Sequence, residues 1–113
     1  MKLLDLLSKG IVIGDGAVGT LLHSHGLQSS FEELNVSDPD LIISIHKQYV
    51  AAGADVIQTN TYGANEAKLR MYGLENQVTE INRAAVKLAK ASVTDKNAIL
   101  GTIGGMKHIG AVT

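Results

Sequence analysis

The sequence predicts a parallel α/β fold of order β-α-β-α-β, and three observations predict it. Short apolar runs at Ile11–Ile13, Ala54–Ile57 and Ala98–Ile103 each read as a buried strand. Helical patterns lie between them, and helical connections force neighbouring strands to run parallel with right-handed crossovers. Each run also gives way abruptly to polar or glycine-rich sequence: Gly14-Asp-Gly-Ala-Val-Gly-Thr20, Gln58-Thr-Asn-Thr-Tyr-Gly63 and Gly101-Thr-Ile-Gly-Gly105. In parallel α/β proteins such a switch marks the carboxyl end of a strand, where ligands bind.

The elements follow in order. Leu3, Leu4 and Leu7 fall at helical spacing, so residues 2–8 read as a short helix closed by Gly10. After the first strand, Gly14 to about Val36 reads as a long loop with a helical turn at Leu21–His25, and loops of that length usually bind something. Ser37-Asp-Pro-Asp40 is a helix start, with Ser37 as N-cap, Pro39 in the first turn and Asp40 at the capping-box position. Leu41, Ile42, Ile45 and Tyr49 then form an apolar stripe that runs to Ala52, and Gly53 stops the helix before the second strand. Asn65–Tyr72 reads as a short helix ended by Gly73. Glu75–Ser92 reads as a long amphipathic helix, with Val78, Ile81, Ala85, Leu88 and Ala89 inward and Glu80, Lys87 and Lys90 outward. The third strand follows, and Met106–Thr113 carries no pattern.

Composition bounds the function. With 113 residues the chain makes one domain, residues 1–113, and 45% hydrophobic content supports a core. A net charge of −1 leaves no electrostatic footprint for nucleic acid or an anionic membrane. Cysteine is absent, so disulfides and thiolate metal sites within the chain are excluded. No signal peptide or membrane span is legible, and a cytoplasmic protein is expected. His23, His25, His46 and His108 form no recognisable ligand spacing and read as surface or loop residues.

Gly14-x-Gly16-x-x-Gly19 formally matches a dinucleotide fingerprint. That fingerprint needs a helix opening at the glycines and an acid ending the next strand about 20 residues on. Here the next strand ends near Asn60 and carries Gln58 rather than an acid. A (β/α)8 TIM barrel fits better, because all three exits would contribute to one face. Such a barrel typically takes about 250 residues, so three strands make roughly three-eighths of one.

Asp15-Gly-Ala-Val-Gly-Thr20, the run from Ala52 to Asn65, and Gly101-Thr-Ile-Gly-Gly105 together resemble the homocysteine S-methyltransferase family, as do Phe31–Asn35 and Ile81–Ala85. The likeness spans residues 8–105 and is strongest to the amino-terminal domain of bacterial fusions of that enzyme with methylenetetrahydrofolate reductase; cobalamin-dependent methionine synthase shares the domain. The resemblance implies a truncated (β/α)8 barrel that binds homocysteine and a methyl donor, and a complete domain that methylates the sulfur to give methionine. It implies zinc held by three cysteines on later strands, which this chain lacks, so the piece itself is expected to be inactive. The donor stays open between a methylfolate, a methylcobalamin and a methylsulfonium, as does fusion to a reductase domain.

The resemblance also implies site residues. Homocysteine's ammonium wants a carboxylate, and its carboxylate wants clustered N–H groups. Asp15 suits the first, while Gly16, Ala17, Val18, Gly19 and Thr20 offer the second. From the residues alone an Asx turn accounts for Asp15 slightly better. Strand alternation points Gln58 and Asn60 to one side and Thr59 and Thr61 to the other; Gln58, Asn60 and Thr61 are candidate substrate contacts, Asn60 the foremost. Thr102 is expected on the pocket floor, and Tyr62 either covers the site or packs beneath its loop. Two other readings remain: a barrel enzyme that holds a phosphorylated substrate on its glycine-rich exits, and a non-enzymatic module that self-associates or joins a complementing chain through uncovered sheet edges.

Overall fold

The computed structural model describes residues 2–16 and 30–105. Its elements are α1 (Leu3–Leu7), α2 (Leu34–Ser37), α3 (Pro39–Ala51), β1 (Val56–Gln58), α4 (Glu66–Arg70), a 3-10 turn (Glu75–Gln77), α5 (Val78–Ser92) and β2 (Ala98–Leu100). Among the described residues the sheet has two strands, β1 and β2, which pair in parallel with Val56 opposite Ala98 and Gln58 opposite Leu100.

The expected first strand is not a strand. Only Gly14 makes a parallel bridge, to Val56, although the backbone on either side supports it: Val56 N–H donates to the Ile13 carbonyl at 3.2 Å and Asp15 N–H to the Val56 carbonyl at 3.0 Å. Ile11 and Ile13 are 95% and 57% exposed rather than buried. Nothing among the described residues packs over them, so the β preference of isoleucine goes unrewarded. The other two strands are shorter than expected, each three residues. What persists is the order: a parallel segment at Gly14, then β1, then β2.

The helices hold closer to the pattern. α3 begins one residue later than expected, because Pro39 takes the first helical position and Asp38, not Ser37, is the N-cap, its carboxylate accepting from Leu41 N–H at 3.4 Å. Ser37 instead closes α2, a short helix inside what the sequence presents as loop. α4 is capped by Asn65, whose side chain accepts from Lys68 N–H at 2.9 Å. Gly73, at φ 72°, turns the chain after it. In α5 the inward residues Ile81, Ala85, Leu88 and Ala89 are buried as the period requires.

α3 packs chiefly on α5. Ile42, Ile45 and Leu88 form one apolar cluster, against which Phe31, Leu34 and Tyr49 rest. Ala64, Leu69 and Ile81 form a second. Each fully buried Ile or Leu contributes on the order of 1.5–3 kcal/mol by leaving water. One residue breaks the expected pattern: His46 is 0% exposed, not a surface histidine. Position 46 lies four residues past Ile42 on the same helical face, so it is carried into the core with them.

Buried amides tie these layers together. Asn35, 2% exposed, donates through Nδ2 to the Asn60 carbonyl at 2.9 Å and to the Ile81 carbonyl at 3.3 Å. Asn97 does the same at the other end of the sheet, where its Nδ2 donates to the Ala54 carbonyl at 3.0 Å. Among the described residues, no helix is long and apolar enough to cross a membrane.

Candidate functional site

A cleft of about 450 Å³ opens at the carboxyl ends of the parallel segments. The first segment contributes Asp15 and Gly16, the exit of β1 contributes residues 58–62, and the exit of β2 contributes Thr102. Phe31 and Glu32 close it from the turn before α2. Asp15, Gly16, Gln58, Asn60, Thr61 and Thr102 thus share one cleft. Ala17, Val18, Gly19 and Thr20 lie outside the described residues, as do His23, His25 and His108.

Lining the cleft and being free to bind are different conditions, and the hydrogen bonds separate them. Thr102 N–H donates to Thr59 Oγ1 at 3.1 Å. The Thr59 and Thr61 hydroxyls are 2.8 Å apart, and Thr61 donates in turn to the Thr102 carbonyl. This closed circuit stitches the exit of β1 to that of β2 and consumes the hydroxyl proton of Thr61. Asn60 is similarly occupied: its Nδ2 donates to the Phe31 carbonyl at 2.9 Å and to Asn35 Oδ1 at 3.0 Å. Its amide therefore holds the Phe31–Asn35 segment against the sheet. Gln58 Oε1 accepts from Thr102 Oγ1 at 3.0 Å, which orients the side-chain amide.

Asp15 differs. Its Oδ2 accepts from Gln58 N–H at 3.1 Å, whereas its Oδ1 is buried and has no hydrogen-bond partner among the described residues. Burial pushes the Asp15 carboxyl above its ordinary 3.8, and hydrogen bonds from Gln58 and from its own backbone only partly counter this. A half-buried carboxylate with one buried, unpartnered oxygen is costly until a cation meets it. Chemically, the cleft offers one unpaired anionic acceptor, with a second carboxylate nearby on Glu32, whose Oε2 accepts from Gly63 N–H at 3.2 Å.

Phe31 and Glu32 were not legible as site residues. Their segment resembles the family's, but no local period brings residue 32 to residue 63. Tyr62, 61% exposed, lies at the rim with Lys68 Nζ 5.9 Å from its ring centre. It is one of the residues that line the cleft.

Zinc is the metal the resemblance implies, and the residues present do not fit it. The chain has no cysteine, and among the described residues no three His, Cys, Asp or Glu side chains are grouped as ligands. His46, buried in the helix layer, does not line the cleft.

Fold and site together define a class: a parallel α/β protein that presents a polar, carboxylate-bearing ligand cleft at its strand exits. Comparison with known proteins narrows it. The family model for homocysteine S-methyltransferase matches residues 12–111. The methionine synthases of Mycobacterium tuberculosis and Mycobacterium leprae are 34% and 31% identical over 116 aligned positions, covering 90% of this chain and 10% of each relative. Among solved structures, the metallated form of the homocysteine methyltransferase MmuM from Escherichia coli superposes with a TM-score of 0.74 at 27% identity, over 88% of this chain and 40% of that one. Its oxidised form gives 0.70 at 28%. The chain belongs to the homocysteine S-methyltransferase family. It spans about a tenth of those methionine synthases and two-fifths of the solved enzyme.

Proposed function

We propose that this chain forms the first three β/α units of a homocysteine S-methyltransferase barrel and supplies the part of the site that grips the amino-acid end of homocysteine. The buried, unpartnered Oδ1 of Asp15 carries the reading. An ammonium group placed there would form a charge-assisted hydrogen bond and offset the cost of the buried charge. Gln58 N–H already fixes the other carboxylate oxygen, so the acceptor is oriented before substrate arrives and little ordering entropy is spent on binding. The substrate carboxylate is assigned to the backbone N–H groups of Ala17–Thr20. Asn60, Thr59 and Thr61 hold the rim in shape rather than touch substrate.

The chemistry that follows in the complete domain is methyl transfer to the homocysteine sulfur, giving methionine. A thiol with an ordinary pKa of about 8.5 is mostly protonated at neutral pH, and zinc coordination supplies the thiolate in such enzymes. No ligand for that ion is provided by the cleft described here, so orientation and charge matching are this chain's share, and by itself it is inactive in methyl transfer. A folate is one candidate donor, and fusion to a reductase domain fits the large size of the methionine synthase relatives.

The test is an amide-shift titration of the 113-residue chain with L-homocysteine, L-methionine and 4-mercaptobutyrate. The last keeps thiol and carboxylate but lacks the ammonium. Homocysteine and methionine should shift the amides of Asp15, Gly16 and Gln58, and 4-mercaptobutyrate should not. Equal binding of all three would overturn the assignment.

A further inference from the structure

We infer that Tyr49 is a positioning residue for the Asp15 carboxylate, acting as a wedge against Gly16. The inference rests on the reading of Asp15 as the substrate's ammonium acceptor. It begins from a glycine that needs no glycine backbone. Gly10, Gly53 and Gly73 are the described glycines with positive φ, and Gly16 is not among them. Its lack of a side chain serves a different end. A Cβ built at Gly16 would sit 2.5 Å from Tyr49 Oη, 2.6 Å from Cε1 and 2.8 Å from Cζ. The phenol ring therefore occupies the space that any other residue would fill.

Tyr49 is well placed to brace the turn. It packs, partly buried, against the cluster of Ile42, Ile45 and Leu88 in the helix layer. Its carbonyl accepts from Ala54 N–H at 3.0 Å, which fixes the end of α3 to the start of the segment that becomes β1. β1 in turn delivers Gln58, whose N–H holds Asp15 Oδ2. Asp15 is thus fixed from the front by Gln58 and its neighbour is propped from behind by Tyr49. Both supports issue from the same α3–β1 unit. The phenol also lies within the field of the carboxylate: burial first, then the Asp15 charge, raises its pKa above the ordinary 10.0. Tyr49 touches no reacting group in this scheme. Its effect on binding passes through Asp15, whose misplacement by about 1 Å would be expected to cost one to two orders of magnitude in productive engagement.

The experiment compares the wild-type 113-residue chain with Gly16→Ala, with Tyr49→Leu and with Gly16→Ala/Tyr49→Leu, by amide spectra across pH and by homocysteine titration. In wild type the Gln58 amide proton should move with ionisation of Asp15, because the two are bonded. Gly16→Ala should reduce that displacement by at least half and weaken homocysteine binding roughly tenfold or more. In the double variant the added methyl takes up the space that the ring vacates, so both should recover. Tyr49→Leu alone leaves that space empty and should lose the Gln58 displacement and weaken homocysteine binding, and an unchanged Tyr49→Leu chain overturns the inference. Retention of the Gln58 signature in Gly16→Ala, or its absence in the folded double variant, overturns the inference. Should Gly16→Ala fail to fold, visible as collapsed amide dispersion, recovery of a dispersed spectrum and the Gln58 signature in the double variant supports it, and no recovery overturns it. If the signature follows the expected pattern, its loss in Tyr49→Leu included, but homocysteine binds none of these proteins, the substrate reading of Asp15 falls and the bracing role of Tyr49 stands.

Discussion

Replacing Asp15 by Asn separates binding from stability in opposite directions. Asn retains an acceptor oxygen for Gln58 N–H, now 3.1 Å from Asp15 Oδ2, and removes only the charge. A hydrogen bond to a charged partner is worth about 1.5–3 kcal/mol, so homocysteine binding should weaken roughly ten- to hundredfold. Stability should move the other way. The Asp15 pKa is raised in the folded state, chiefly by burial. A raised carboxyl contributes stability that is present below the unfolded value of 3.8 and lost as pH rises through the folded value. At pH 7 the native chain therefore carries a charge that it holds at a cost, and Asp15→Asn is relieved of it. Urea melts at pH 3 and pH 7 should show the variant at least as stable as wild type, with the gap in its favour widening at pH 7. An amide titration with homocysteine reads the binding arm on the same samples. A variant that is less stable at pH 7 yet binds homocysteine normally would refute the reasoning, because Asp15 would then be a structural turn residue.

Three further outcomes follow from the same geometry. His46 is buried with both ring nitrogens unpartnered and its pKa lowered by burial; a lowered folded value gives stability present above the unfolded 6.5 and lost as pH falls below it, so urea midpoints should drop between pH 7.5 and 5.5. His46→Leu should abolish that drop and stabilise by about 1–3 kcal/mol, the cost of unsatisfied buried groups. Asn35→Leu should destabilise by roughly 2–4 kcal/mol in urea, since it strands the Asn60 and Ile81 carbonyls and one Asn60 N–H. The 113-residue chain, supplied with zinc, homocysteine and each donor class, should give no methionine by mass spectrometry; product formation would overturn the proposed division of labour between this chain and the remainder of the barrel.

Much of the fold was legible because it depends on local periods. The 3.6-residue repeat of Ile81, Ala85, Leu88 and Ala89 and the Asn65 and Gly73 signals at either end of α4 need no knowledge of distant chain. The failures lie where burial is decided elsewhere. Ile11 and Ile13 carry strand propensity but have no described cover, so propensity alone did not make a strand. His46 lies outside the Leu41, Ile42, Ile45, Tyr49 stripe read from the sequence, yet the packing of α3 on α5 buries it fully. At the site, the switch from apolar to polar sequence marked the three exits, but it did not show which polar groups bind each other.

By itself the sequence determined the order of the longer helices and of β1 and β2, the parallel sense of those strands and the class of residues delivered to the rim, because periodicity and turn chemistry act over a few residues. Only the tertiary structure decided which groups Asn60, Thr59 and Thr61 bond, that one oxygen of Asp15 has no hydrogen-bond partner among the described residues, and that a tyrosine from α3 fills the space beside Gly16. Apart from the Thr59–Thr61 contact, those outcomes depend on contacts between residues 25 to 43 positions apart. Hydrogen-bond capacity is finite, and which partner claims it is settled by packing rather than by local sequence.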